Sequence, residues 1–224
     1  MAVLPAATPA AGALRRLTPA GAPAPGSALQ PPRTLLIACG ALAREVVALI
    51  ELNGWSHMDV TCLPAKLHNT PARIPDAVRA KIRAGRRSHE RVVVLYGDCG
   101  TGGLLDRVIE EEGVERIPGP HCYAFYRGVE AFLEEADADP TCFYLTDYLV
   151  RHFERLVIKG LGLDRHPELL PLYFGNYTTL IYLAQTSDPD LERKAKAAAL
   201  RLGLAYQQRS TGYGELASFM RQAG

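Results

Sequence analysis

Five cysteines and six histidines in this 224-residue chain set the range of chemistry open to it. Cys39, His68, Cys99 and the adjacent pair His121 and Cys122 each sit beside glycines, prolines or polar residues, at points where an apolar run gives way to a loop. Cys62 and Cys142 instead lie inside apolar runs and read as core residues. Thiolate and imidazole are soft ligands, suited to zinc, iron or an iron–sulfur cluster and poorly suited to magnesium or calcium. No C-x-x-C spacing is present, which excludes a zinc ribbon or a ferredoxin-type loop. The metal candidates are therefore Cys39, His68, Cys99, Cys122 and His121, each from a separate loop or turn except the last two. Each also has a plain alternative: a buried small hydrophobe for the thiols, a hydrogen-bonded loop residue for His68. A metal-free site stays open as well, with one cysteine as nucleophile and His68 or His121 as its base.

Asp98 and Cys99 stand together in YGDCGTGG, and this pair is the candidate catalytic element. Helix N-terminal amides would lower the pKa of Cys99, and a carboxylate at Asp98 could orient a ligating imidazole. Gly97, Gly100 and Gly102 would let the backbone approach a bound cofactor or substrate. The segment is not a P-loop, because the G-K-[ST] ending that contacts phosphate is missing. CGALA after the first strand likewise lacks the G-x-G-x-x-G spacing of a dinucleotide site.

These residues need a frame that brings their loops together. TLLIA (34–38) is a fully apolar run, the pattern of a strand buried on both faces. DVTCLP (59–64), RVVVLYGD (91–98), VERIPG (114–119), TCFYLTD (141–147) and TTLIYLAQT (178–186) read as further strands, with AYQQRS as a last short one. Between them lie helical stretches: 41–54, 76–85, 104–113, 121–137, 148–161 and the helix after Asp188-Pro189. Strands alternating with helices imply right-handed βαβ units. The expected fold is a single Rossmann-like α/β domain over 33–224, with a mainly parallel sheet and helices on both faces. In such a sheet ligands bind beyond the strand carboxyl ends. Cys39, His68, Cys99, His121, Cys122 and Asp147 all follow strands. Tyr123, Phe125 and Tyr126 read as helix core, with a pocket-lining ring as the alternative. TGYGELASF (211–219) reads as a turn or as a lid, and the run from Lys194 to Arg201 as a solvated helix face.

Composition narrows the partners. Lys and Arg number 25 against 24 Asp and Glu, so the basic excess that nucleic-acid binding requires is lacking. No apolar stretch of about 18 residues is present to cross a membrane. An odd, scattered set of five cysteines argues for a reducing cytoplasm over a secreted disulfide framework. Residues 1–32, rich in alanine and proline, read as a disordered tail; Arg15-Arg16 lacks the apolar stretch an export signal needs. Truncation near Arg33 is expected to leave the melting temperature unchanged.

CGALAREV, LPAKLHNTP, LYGDCGTGG and IPGPHCY resemble, in order and spacing, the prokaryotic family called domain of unknown function 1638, over roughly residues 34–220. Members often carry an arginine and an Asp-Cys pair where this chain has Gly119 and His121-Cys122, so Cys122 matches and His121 departs. Because members tend to sit near genes of corrinoid-dependent methyl transfer, the resemblance implies a link to one-carbon metabolism. Two classes of function follow. One is a metal-dependent enzyme on a small molecule; the other is an accessory protein carrying metal or cofactor to a methyltransferase. A buried pocket with an open coordination position would distinguish the first.

Overall fold

A computed structural model describes residues 31–223 of the chain. The expected tail, 1–32, lies almost wholly outside the described residues. Strand β1 (Thr34–Cys39) is buried at every position, which is what a strand covered on both faces requires. A 3₁₀ turn leads from it into α1 (Ala43–Asn53), ended by Gly54 at φ 63°. β2 (Met58–Leu63), α2 (Ile74–Gly85), β3 (Arg91–Leu95), α3 (Leu104–Glu111) and β4 (Glu115–Arg116) follow. These strands form one parallel sheet in the order β2-β1-β3-β4, with Ile37 beside Thr61 on one side and Val94 on the other.

The chain then runs through α4 (Ala124–Arg127) and α5 (Val129–Ala138) to a second parallel sheet. It is built from β5 (Cys142–Thr146), β6 (Thr179–Ala184) and β7 (Ala205–Ser210), in that order. Its helices are α6 (Asp147–Arg151), α7 (Leu170–Phe174) and α8 (Pro189–Leu202). Each sheet has its own apolar cluster, and the last helix, α9 (Gly214–Ala223), returns to the first through Leu216, Met220 and Ala223. The α/β class with parallel strands and flanking helices therefore stands, but the strands divide between two sheets instead of filling one. The long helix expected over 121–137 breaks at Gly128, whose φ of 90° and ψ of 133° lie outside helical geometry. The stretch 148–161 is a short helix followed by a π-helical turn, Glu154–Ile158. The TGYGELASF segment is a turn that leads into α9, with Leu216 buried in the first apolar cluster, and none of its residues lines the cavity described below. No described helix is long and apolar enough to cross a membrane.

Asp147, the first residue of α6, follows β5 and ties together the carboxyl end of the second sheet. Its fully buried carboxylate accepts from the Tyr182 hydroxyl at 2.7 Å, Gln185 N at 3.1 Å and the Thr186 hydroxyl at 2.6 Å. An amide in its place would turn an NH₂ toward those donors. Asp147→Asn should cost about 1.5 kcal/mol, a fall in melting temperature of roughly 3–6 °C. A melting curve identical to the parent's would show that these hydrogen bonds contribute nothing net.

Candidate metal and thiol site

Cys39 is the last residue of β1 and is fully buried. Its sulfur accepts a hydrogen bond from Ala41 N at 3.4 Å. The next residue is glycine, and a Cβ on Gly40 would lie 3.0 Å from the Leu63 carbonyl oxygen, so a side chain there would push the two segments apart. That close approach brings the loop after β2 beside the end of β1. The loop forms a 3₁₀ turn, Ala65–Asn69, that carries His68. His68 Nδ1 lies 2.9 Å from the Ala65 carbonyl, which fixes Nδ1 as the donor and leaves Nε2 for other partners.

Cys99 follows β3 in a left-handed conformation, φ 49°, the single non-glycine case of positive φ among the described residues. Two hydrogen bonds hold it there: Asp98 N to Gly119 O at 2.9 Å and Cys99 N to Pro120 O at 2.8 Å. These contacts place Cys99 Sγ 3.6 Å from Cys122 Sγ. One ligand atom from each of Cys39, His68 and Cys122 lies within 4.8 Å of the others, close enough for all three to hold one metal ion. His121 is outside that group; its ring stacks on Tyr123 at 5.0 Å.

The electrostatics favour charge separation. Cys122, hydrogen-bonded to both neighbouring sulfurs and fully enclosed, keeps its proton, its pKa raised well above the ordinary thiol value. The hydrogen bond from Cys122 brings Cys99 down to about 3 against the opposing effect of burial, with His121 and His68 adding to the fall. Cys39 falls to about 7 for the same first reason. Burial acts to lower His68, yet the hydrogen bond to Cys99 and the nearby thiolates outweigh it and raise His68 to about 9. These shifts run in opposite directions, toward a thiolate at Cys99 and a proton on His68.

The site opens onto a cavity of about 360 Å³. His68, Cys99, His121 and Cys122 line one side; Tyr123 just before α4, Tyr126 within it, and Phe143 and Tyr144 of β5 line the walls. That volume suits a small molecule. The family model for proteins of unknown function, DUF1638, matches residues 62–220. The chain belongs to the DUF1638 family. Its match takes in His68, Cys99 and Cys122, while Cys39 precedes it. No curated protein matches the chain.

The remaining candidates of this DUF1638 protein occupy structural positions. The Asp98 carboxylate accepts from Thr101 Oγ1, Gly102 N at 3.1 Å and Gly103 N at 2.9 Å, so it ties the loop into α3. These bonds give the Asp98 carboxylate a backbone-capping role. Gly97, Gly100 and Gly102 are not among the cavity's lining residues. Gly97 packs on the 121–122 backbone, Gly100 (φ 86°) packs on Pro71, and Gly102 (φ 63°) provides the turn. Cys142, assigned to the core by its place within a strand, is half-buried and lines the cavity. Cys62 is half-buried against the first apolar cluster.

Sequence reading passed over Tyr96. It directly follows β3, is fully buried, and stacks on His68 at 5.7 Å. Its hydroxyl has no hydrogen-bond partner, and burial holds its pKa far above that of a free phenol, so it stays a donor. The signal was the one that found Cys99, a polar group at the carboxyl end of an apolar strand.

The strain at Cys99 is testable. A side chain in the left-handed region costs roughly 1–2 kcal/mol that glycine does not. Cys99→Gly should therefore be about 1 kcal/mol more stable than Cys99→Ala, although both lack the thiol. Equal melting temperatures would mean that the loop relaxes to negative φ.

Proposed function

We propose that this protein is a metal-dependent enzyme acting on a small molecule, with Cys39, His68 and Cys122 holding a soft divalent ion. The observation that carries the reading is the convergence of these ligand atoms within 4.8 Å beside a small, partly aromatic cavity. Two thiolates and an imidazole match zinc or iron in donor type. Three protein ligands leave a position for substrate, the arrangement of catalytic rather than structural zinc. Cys99 is then the exchangeable donor: it stays within reach of Cys122 and gives way when substrate arrives. The orphan Tyr96 hydroxyl supports a charged cluster, because a thiolate or a metal-held ligand would satisfy it while a neutral thiol accepts weakly. The metal would supply Lewis acidity and a lowered pKa for whatever it binds. Two buried thiols beside a cavity that a small molecule can enter favour an enzyme over a carrier that must hand its metal to a partner.

A metal-free thiol enzyme is the second reading, favoured by the low pKa of Cys99 and its pairing with His68. A place beside corrinoid-dependent methyl transfer, in the cytoplasm, belongs to the same proposal; it is carried over from what the family resemblance implies. The cavity is too small to enclose a corrinoid, so a partner protein would have to hold it. Metal analysis of protein purified without oxygen tests the main reading. About one zinc or iron per chain is expected. A metal-free preparation that cannot be reconstituted, yet reacts stoichiometrically at Cys99 with iodoacetamide, would transfer the function to the thiol.

A further inference from the structure

The cavity that serves the proposed centre has no aspartate or glutamate among its lining residues. Its one formally cationic side chain outside the imidazoles is Lys66, which lines the cavity and is exposed. Among the described residues the lysines held in ion pairs are Lys194 and Lys196, both on α8; Lys66 is in none. Lys66 shares the short 3₁₀ turn Ala65–Asn69 with His68, so both residues line the cavity from the same short segment. Asn69, from that turn, also lines it. Opposite stand aromatic and aliphatic groups, among them Phe143, Tyr144, Tyr177 and Leu149.

A ligand that complements this cavity needs three properties. It carries a donor suited to a soft centre held by Cys39, His68 and Cys122. Its body is compact and apolar enough for the aromatic walls. It bears a negative group a short distance from the donor, for Lys66 to neutralise. Resting on the metal reading above, we propose that the substrate is a small thiol bearing a carboxylate or a similar anionic group. Its sulfur would face the cysteine and histidine side of the cavity and its anionic end Lys66. A cationic ligand would find tyrosine faces here, but with an unpaired ammonium beside it and no carboxylate to offset the charge.

The test uses the full chain loaded with cobalt(II), whose thiolate charge-transfer absorption reports a new sulfur ligand. Mercaptopropionate, propanethiol and propionate are titrated without oxygen into the parent and into Lys66→Met. Mercaptopropionate should bind the parent about fivefold more tightly than propanethiol, the scale of one solvent-accessible ion pair. Lys66→Met should abolish that preference while leaving propanethiol affinity unchanged. Equal affinities for the two thiols in the parent, or equal weakening of both by Lys66→Met, would overturn the anionic part. Cobalt bound stoichiometrically with no new thiolate absorption would overturn the thiol part and leave the metal reading standing. Failure of cobalt to bind at all would bring down both readings together.

Discussion

Zinc in thousandfold excess over its dissociation constant should raise the melting temperature of the metal-free protein by roughly 8–16 °C. The shift follows from mass action: a ligand bound only by the folded state adds about 4 kcal/mol under those conditions, and a domain of this size moves roughly 2–4 °C per kcal/mol. The metal-free cluster has reason to respond. Cys39 and Cys99 both have lowered pKa values in a buried setting, and a divalent cation offsets the repulsion between two thiolates. Cys122→Ser should remove most of the shift, because Cys122 lies within reach of both Cys39 and Cys99. His68→Gln and Cys39→Ser should act in the same direction. Cys99→Ser should lower bound metal less than these three if Cys99 is the exchangeable donor, yet more than Cys62→Ser. Cys62 sits on β2 outside the donor group and serves as the control. A zinc shift of the same size in Cys122→Ser and Cys62→Ser would remove the proposed centre.

The frame around this site was legible because its signals are local. TLLIA and RVVVL are unbroken apolar runs, and runs of that length between helical stretches leave little but buried parallel strands. Residues just beyond such strands must gather at one edge, and Cys39 and Cys99 could be singled out on that ground alone. Pairing between strands is not local. Nothing in TCFYLTD says that its neighbour is TTLIYLAQT and not the short fourth strand, so the division into two sheets stayed hidden. The same gap misplaced Cys142. Its position within a strand suggested core, whereas β5 is only half-buried over Cys142–Tyr144, where it borders the cavity. Asp98 was ambiguous for another reason. A carboxylate before a glycine-rich turn suits ligand orientation and backbone capping equally, and only the hydrogen bonds to Thr101, Gly102 and Gly103 distinguish them. Gly128 looked like an ordinary helical residue until its backbone angles showed a break.

Gly97→Ala should cost about 2–3 kcal/mol and abolish metal binding, although residue 97 carries no functional group. The added Cβ would lie 2.9 Å from the His121 carbonyl carbon and 3.1 Å from Cys122 N, both main-chain atoms that cannot swing aside. Gly97 is not among the residues of positive φ, so the penalty is steric alone. Relief requires the loop after β3 to move away from the 121–122 turn. The hydrogen bonds of Asp98 N to Gly119 and Cys99 N to Pro120 join those two segments, and the same approach sets the 3.6 Å between Cys99 and Cys122. A single methyl group should therefore separate two of the three clustered thiols. Gly102→Ala provides the contrast. Its φ of 63° makes alanine there cost about 1 kcal/mol, but a Cβ meets nothing within 4 Å, so the thiols stay in place. The expected pattern is a melting temperature lowered by roughly 5–10 °C with metal lost for Gly97→Ala, against a fall of a few degrees with metal retained for Gly102→Ala. If Gly97→Ala bound zinc as tightly as the parent, the packing of residue 97 on the 121–122 backbone could not be what holds the two cysteines together.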